Sequence, residues 1–132
     1  MKNILLALTA AAALAAPAAA APRLTGEAEL AKLTDGRVAG QPVDCIDLSR
    51  VRATTIVEGT ALVYDTGRTV YVNRPRGGAH SLDKWNIMVV KPFDHSLCSV
   101  DVVQMLEPGG GFYKGSVFLG DFVPFTKPRT TN

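Results

Sequence analysis

The sequence predicts a mainly β domain, an antiparallel meander forming a small barrel or sandwich, with a short N-terminal helix. Three observations carry this reading. Between Ala53 and Asn73, β-branched or alternating runs are separated by Glu58-Gly59 and Asp65-Thr66-Gly67, the pattern of consecutive hairpins. Further apolar runs at 87–90, 97–106, 112–119 and 122–125 are bounded by glycine, proline and short polar residues. The only two cysteines, Cys45 and Cys98, each lie in an extended apolar context.

Residues 1–20 read as a Sec-type signal peptide: Lys2, then an uncharged Ala- and Leu-rich stretch, with Ala18 and Ala20 as small residues for cleavage after Ala20. The apolar core, about 13 residues, is shorter than the roughly 20 that span a bilayer. The competing reading is an Ala-rich helix retained in the working protein. No twin arginine and no cysteine follow the cleavage region, so neither the Tat route nor a lipid anchor is indicated. A periplasmic or secreted protein with no transmembrane segment after cleavage is expected.

Cleavage removes Lys2 from 14 basic side chains and none of the 12 acidic ones, leaving a net charge of about +1. Such a balance argues against a nucleic-acid binder. Two cysteines in an exported chain are read as one disulfide, Cys45 to Cys98; two separate buried thiols are the alternative. In the chain-entropy account, a loop of that length contributes about 4 kcal/mol. No metal is expected, because Cys45 has only Asp44 and Asp47 nearby, and no cofactor is implied.

The chain divides into the signal peptide (1–20), an N-terminal helix and linker (21–42), a β domain (43–125) and a flexible tail (126–132). The helix is placed at 27–33, capped by Thr25, with Glu27 and Glu29 at its positive end and an exit at Asp35-Gly36. Strands follow at 43–48, 53–57, 60–64 and 69–73. Apolar side chains on both faces of the last two require cover on both sides. After the irregular 73–78 segment, Ser81 caps a turn that Trp85 is expected to anchor on the core. The run 97–106 reads as one buried strand. Phe112 and Tyr113 are expected in the core, opening a final strand pair with a bulge at Gly120.

Two clusters, Gly40-Gln41-Pro42-Val43-Asp44-Cys45-Ile46-Asp47-Leu48-Ser49-Arg50-Val51-Arg52 and Ser96-Leu97-Cys98-Ser99-Val100-Asp101, are familiar together. With Tyr71-Val72-Asn73-Arg74-Pro75 and Phe118-Leu119-Gly120-Asp121-Phe122, they resemble an uncharacterised family of small exported alphaproteobacterial proteins, over about residues 24 to 125. That resemblance implies no activity, substrate or catalytic residue. Some similar proteins carry further cysteines in neighbourhoods where this chain has Gly77 and Ser116.

Asp94-His95-Ser96 contains the residue types of a hydrolase triad, but neighbours in an extended loop diverge, whereas a triad converges from separate elements. His95 with Cys98 offers a thiol-enzyme reading, and His80 a further ligand, yet the spacings match no zinc pattern. Arg74 and Arg76, flanking Pro75, with Arg50, Arg52 and Arg68, form the densest basic set, suited to carboxylates or phosphates. The leading functional expectation is a non-catalytic binding or envelope-associated module whose partner is an acidic envelope component or a protein. The alternative is a small periplasmic hydrolase or thiol enzyme using His95 and Cys98.

Overall fold

A computed structural model describes residues 25–131; the signal-peptide reading lies outside the described residues. The short helix forms as the sequence dictates. Helix α1 (Gly26–Leu33) is capped by Thr25, whose Oγ1 accepts the Ala28 amide at 3.3 Å, and the chain leaves it through Gly36 at φ 68°. Too short to persist alone, it docks by Leu30 and Leu33.

What it docks on is the predicted meander. Strands β3 (Ala53–Val57), β4 (Ala61–Asp65) and β5 (Thr69–Asn73) are consecutive antiparallel hairpins. Gly59 and Gly67 supply the positive φ of their turns, and Asp65 Oδ1 accepts the Gly67 amide at 2.6 Å. The last strand, β10 (Phe122–Thr126), lies beside β5, and the two-residue β1 (Val38–Ala39) closes the edge in the order β1-β10-β5-β4-β3. The sheet therefore begins within the segment expected to be linker and includes Thr126.

Both faces of this sheet are covered, as the apolar alternation requires. Ala61 and Val63 of β4 join Val57, Val70, Val72 and Leu30 beneath the helix. Leu62 and Tyr64 face the larger core of Leu97, Val103, Met105, Val117, Leu119 and Phe122, where Tyr64 meets Phe122 edge-on at 5.8 Å. That core is completed by a ribbon, β2 (Cys45–Asp47) with β7 (Ser96–Cys98), and by a sheet ordered β6-β8-β9 from β6 (Ile87–Val89), β8 (Val102–Leu106) and β9 (Tyr113–Phe118). The protein is mainly β with sandwich-like packing; none of the three sheets closes into a barrel.

Several expectations change. The run 97–106 is two strands in different sheets, broken where Asp101 Oδ2 accepts the Cys98 amide at 2.7 Å and Ser99 donates its amide to Asp44. Gly120 is not a bulge in a hairpin: β9 and β10 belong to different sheets, and Leu119-Gly120-Asp121 crosses between them. The buried Asn73 side chain holds this crossing, donating to the Gly120 carbonyl at 2.6 Å and accepting its amide at 3.0 Å. Trp85 does not anchor on the core but stands in solvent with Lys84 Nζ 5.6 Å from its ring, and Phe112 and Tyr113 are likewise exposed. Period-two alternation says which residues share a face but not which face meets the core.

Cys45 and Cys98 lie directly opposite each other in the ribbon and are joined, with the sulfurs 2.03 Å apart. Because Ile46 and Leu97 point into the core, alternation turns the bond to the outer face. The Ser99 hydroxyl donates to Asp44 Oδ1 beside it.

Candidate functional site

The five arginines singled out from the sequence separate into two groups. Arg74 grips Glu27 with two parallel bonds of 2.6 and 3.0 Å, joining β5 to the first turn of α1. Hydrogen bonding by Arg74 holds the Glu27 carboxyl below its ordinary range, and the same bond raises Arg74. Arg76 donates from Nε to the Leu119 carbonyl at 2.8 Å and from Nη2 to the Ser99 carbonyl at 2.7 Å. It clamps the crossing segment to the turn after β7. The guanidinium forks expected to face a ligand are therefore engaged within the fold.

A depressed carboxyl pKa stabilises above the unfolded value, and its contribution is lost as pH falls through the lower folded value. Glu27→Gln is therefore expected to lower the melting temperature near neutrality and to converge with the parent in acid, once both carboxyl states are protonated. Thermal melts across that range check it.

The second group converges. The short 3-10 turn Leu48–Arg50 follows β2, and Asp47 caps it by accepting from the Ser49 amide at 2.9 Å and hydroxyl at 2.6 Å. These bonds from Ser49, ahead of the Arg50 charge, lower the Asp47 pKa. The turn presents Arg50, whose Nε stands 3.8 Å from Asp47 Oδ2 in a solvent-exposed pair, an arrangement worth little. Arg52 lies against the β4–β5 turn, so close to Gly67 that an added Cβ there would fall 2.9 Å from its Nη1. Arg68, in the same turn, donates to the Lys127 carbonyl at 3.0 Å. Arg37 braces the turn from below, donating to the carbonyls of Arg68 and Gly67.

Between the disulfide ribbon and this turn is an open cleft of about 650 Å³, lined by Arg50, Arg52 and Arg68 with Asp47, Ser49 and Tyr71 among its other residues. Three arginines line it against a single lining carboxylate, so the cleft is locally cationic in a chain that is nearly neutral overall. The Ser49 and Thr66 hydroxyls donate within the fold, to Asp47 and to the Thr69 carbonyl, and the Thr69 hydroxyl pairs with that of Thr126, so Ser49 and Thr66 offer the cleft acceptor lone pairs. Sequence reasoning found Arg50, Arg52 and Arg68 but not Thr69 and Tyr71. Their signal was parity: they alternate with Val70 and Val72, which lie on the helix side.

The residues of the enzymatic reading do not assemble. The sulfur of Cys98 is taken by Cys45, leaving no free thiol among the described residues. Asp94 accepts the Ser96 amide at 2.6 Å in a local turn, while His95 is exposed and its carbonyl accepts the Leu48 amide at 2.8 Å. Among the described residues, no three His, Cys, Asp or Glu side chains are grouped to hold a metal ion. No helix among them is long and apolar enough to cross a membrane. No protein-family model, curated protein or solved structure matches this chain.

Proposed function

We propose that this protein is a non-catalytic binding module of the cell envelope, related to the small exported family it resembles, and that it recognises an anionic ligand in the Arg50–Arg52–Arg68 cleft. One observation carries the reading: three arginines from two separate segments line one cleft, in which Asp47 is the single lining carboxylate. Arginine suits such a role because its charge is permanent and its planar fork matches carboxylate and phosphate oxygens. The cleft volume falls within the range of about 300–1,000 Å³ usual for small-molecule sites. Export is supported by the leader-like residues 1–20, and the disulfide fits an oxidising compartment.

The test is calorimetric titration with tripolyphosphate and with a short oligogalacturonate, two probes that present dense negative charge on different scaffolds. At least one should bind, more weakly as salt rises. Arg52→Glu with Arg68→Glu should weaken that binding by at least about tenfold, since each removes a charge-assisted contact and adds repulsion. Arg74→Glu, outside the cleft, should leave binding unchanged. The proposal fails if neither probe binds at millimolar concentration, or if the cleft variants bind as the parent does.

A further inference from the structure

The cleft lined by Arg50, Arg52 and Arg68 holds two kinds of polar group, and hydrogen bonds inside the fold decide which kind each residue presents. The Ser49 hydroxyl commits its proton to Asp47 Oδ1 at 2.6 Å, and the Thr66 hydroxyl commits its own to the Thr69 carbonyl at 2.8 Å. What each has left for a ligand is lone pairs. Asp47 is an acceptor as well. Hydrogen bonds from Ser49 hold its carboxyl below the ordinary range, so it is ionised near neutrality. Both of those bonds end on Oδ1, at 2.9 and 2.6 Å. Oδ2 has Arg50 Nε at 3.8 Å, too far for a hydrogen bond, on a side chain half exposed to solvent.

The arginines, in contrast, are donors without any acceptor. Arg68 uses Nη2 on the Lys127 carbonyl, a bond that does not require the rest of its fork. A ligand that carries only negative oxygens would satisfy the arginines but set lone pair against lone pair at Asp47, Ser49 and Thr66. Polar groups left unmatched in this way reduce affinity, the more so as water is excluded. A ligand that carries negative groups among free hydroxyls satisfies both sets. Tyr71, half-buried against the larger core, lines the same cleft. Its apolar body and polar tip suit a sugar ring, which also mixes C–H and O–H surface.

We propose that the ligand of this cleft is an acidic saccharide, sugar rings that bear carboxylates among free hydroxyls. Its carboxylates pair with Arg50, Arg52 and Arg68, and its hydroxyls donate to Asp47, Ser49 and Thr66. This assignment rests on the cleft being an anion site at all, and it adds the hydroxyl donors that separate a sugar acid from a bare polyanion.

Calorimetric titration with trigalacturonate and with tripolyphosphate tests it. The parent should bind trigalacturonate more tightly, although tripolyphosphate carries the denser charge. Ser49→Ala and Thr66→Val, combined in one protein, remove two acceptors without changing any charge. The backbone amides of both residues keep their bonds, to Asp47 at 2.9 Å and to the Thr69 carbonyl at 3.0 Å, so the melting profile should be retained. The ratio of trigalacturonate to tripolyphosphate affinity should fall at least about fivefold, as expected for two neutral hydrogen bonds. Each single variant should give at least about twofold, which keeps the test open if the double variant melts early. A parent that prefers tripolyphosphate, or a ratio unmoved by these variants, overturns the saccharide assignment and leaves the anion cleft standing. Failure of both probes to bind at millimolar concentration removes the cleft as a site and the assignment with it.

Discussion

Replacing Cys45 and Cys98 together by serine is expected to lower the unfolding free energy by about 4 kcal/mol, the loop-closure value for a bond spanning 53 residues. Against a domain stability of about 5–15 kcal/mol this is a large fraction. The effect should be large here because the ribbon is short. Strands β2 and β7 pair over three residues each, yet they bring Ile46 and Leu97 into the larger core. Without the bond, the ribbon keeps that burial and a few hydrogen bonds, among them Ser99 to Asp44 and the Val43–Phe122 bridge. Urea denaturation of the variant, and of the parent with and without reductant, measures the loss. A change below about 1 kcal/mol would mean that pairing and burial alone hold the ribbon, against the entropic account.

Asn73→Ala is expected to cost about 2–4 kcal/mol, because it deletes two buried hydrogen bonds and leaves the amide and carbonyl of Gly120 without partners. The carboxamide acts as a stretch of backbone there, satisfying a crossing segment that has left one sheet and not yet entered the next. Asn73→Asp should be nearly as damaging, since it keeps the acceptor for the Gly120 amide but sets a carboxylate against the Gly120 carbonyl. Chemical denaturation with an unchanged m-value would show that the loss lies in the native state. If the alanine variant loses under about 1 kcal/mol, the crossing is held by other bonds, such as that of Arg76 to Leu119.

The arginines illustrate what local sequence leaves undecided. Arg74 and Arg76, flanking a proline before two glycines, have the features of an exposed recognition loop. Their partners, Glu27 and the carbonyls of Leu119 and Ser99, are at least 23 residues away in the chain, and no local pattern announces them. Arg50, Arg52 and Arg68 could be identified as a basic set, but their convergence depends on the disulfide ribbon lying against the end of the β4–β5 hairpin. The exposed aromatics failed for a related reason. Aromatic residues in strands belong to a core only if the sheet has cover on that face, and Tyr113 and Phe118 of the β6-β8-β9 sheet have none among the described residues.

The chain's own chemistry determined the local structures: the Thr25-capped helix, the hairpins turned by Gly59 and Gly67, the two-sided burial of β4, and the pairing of its only two cysteines. These follow from backbone conformation, alternation and redox chemistry, which act over a few residues or admit a single partner. Tertiary structure alone decided that residues 97–106 serve two sheets, that Gly120 is a crossing held by Asn73, and which arginines retain an open face. Those outcomes are set by long-range burial and hydrogen bonding between segments whose proximity is not encoded in any one of them.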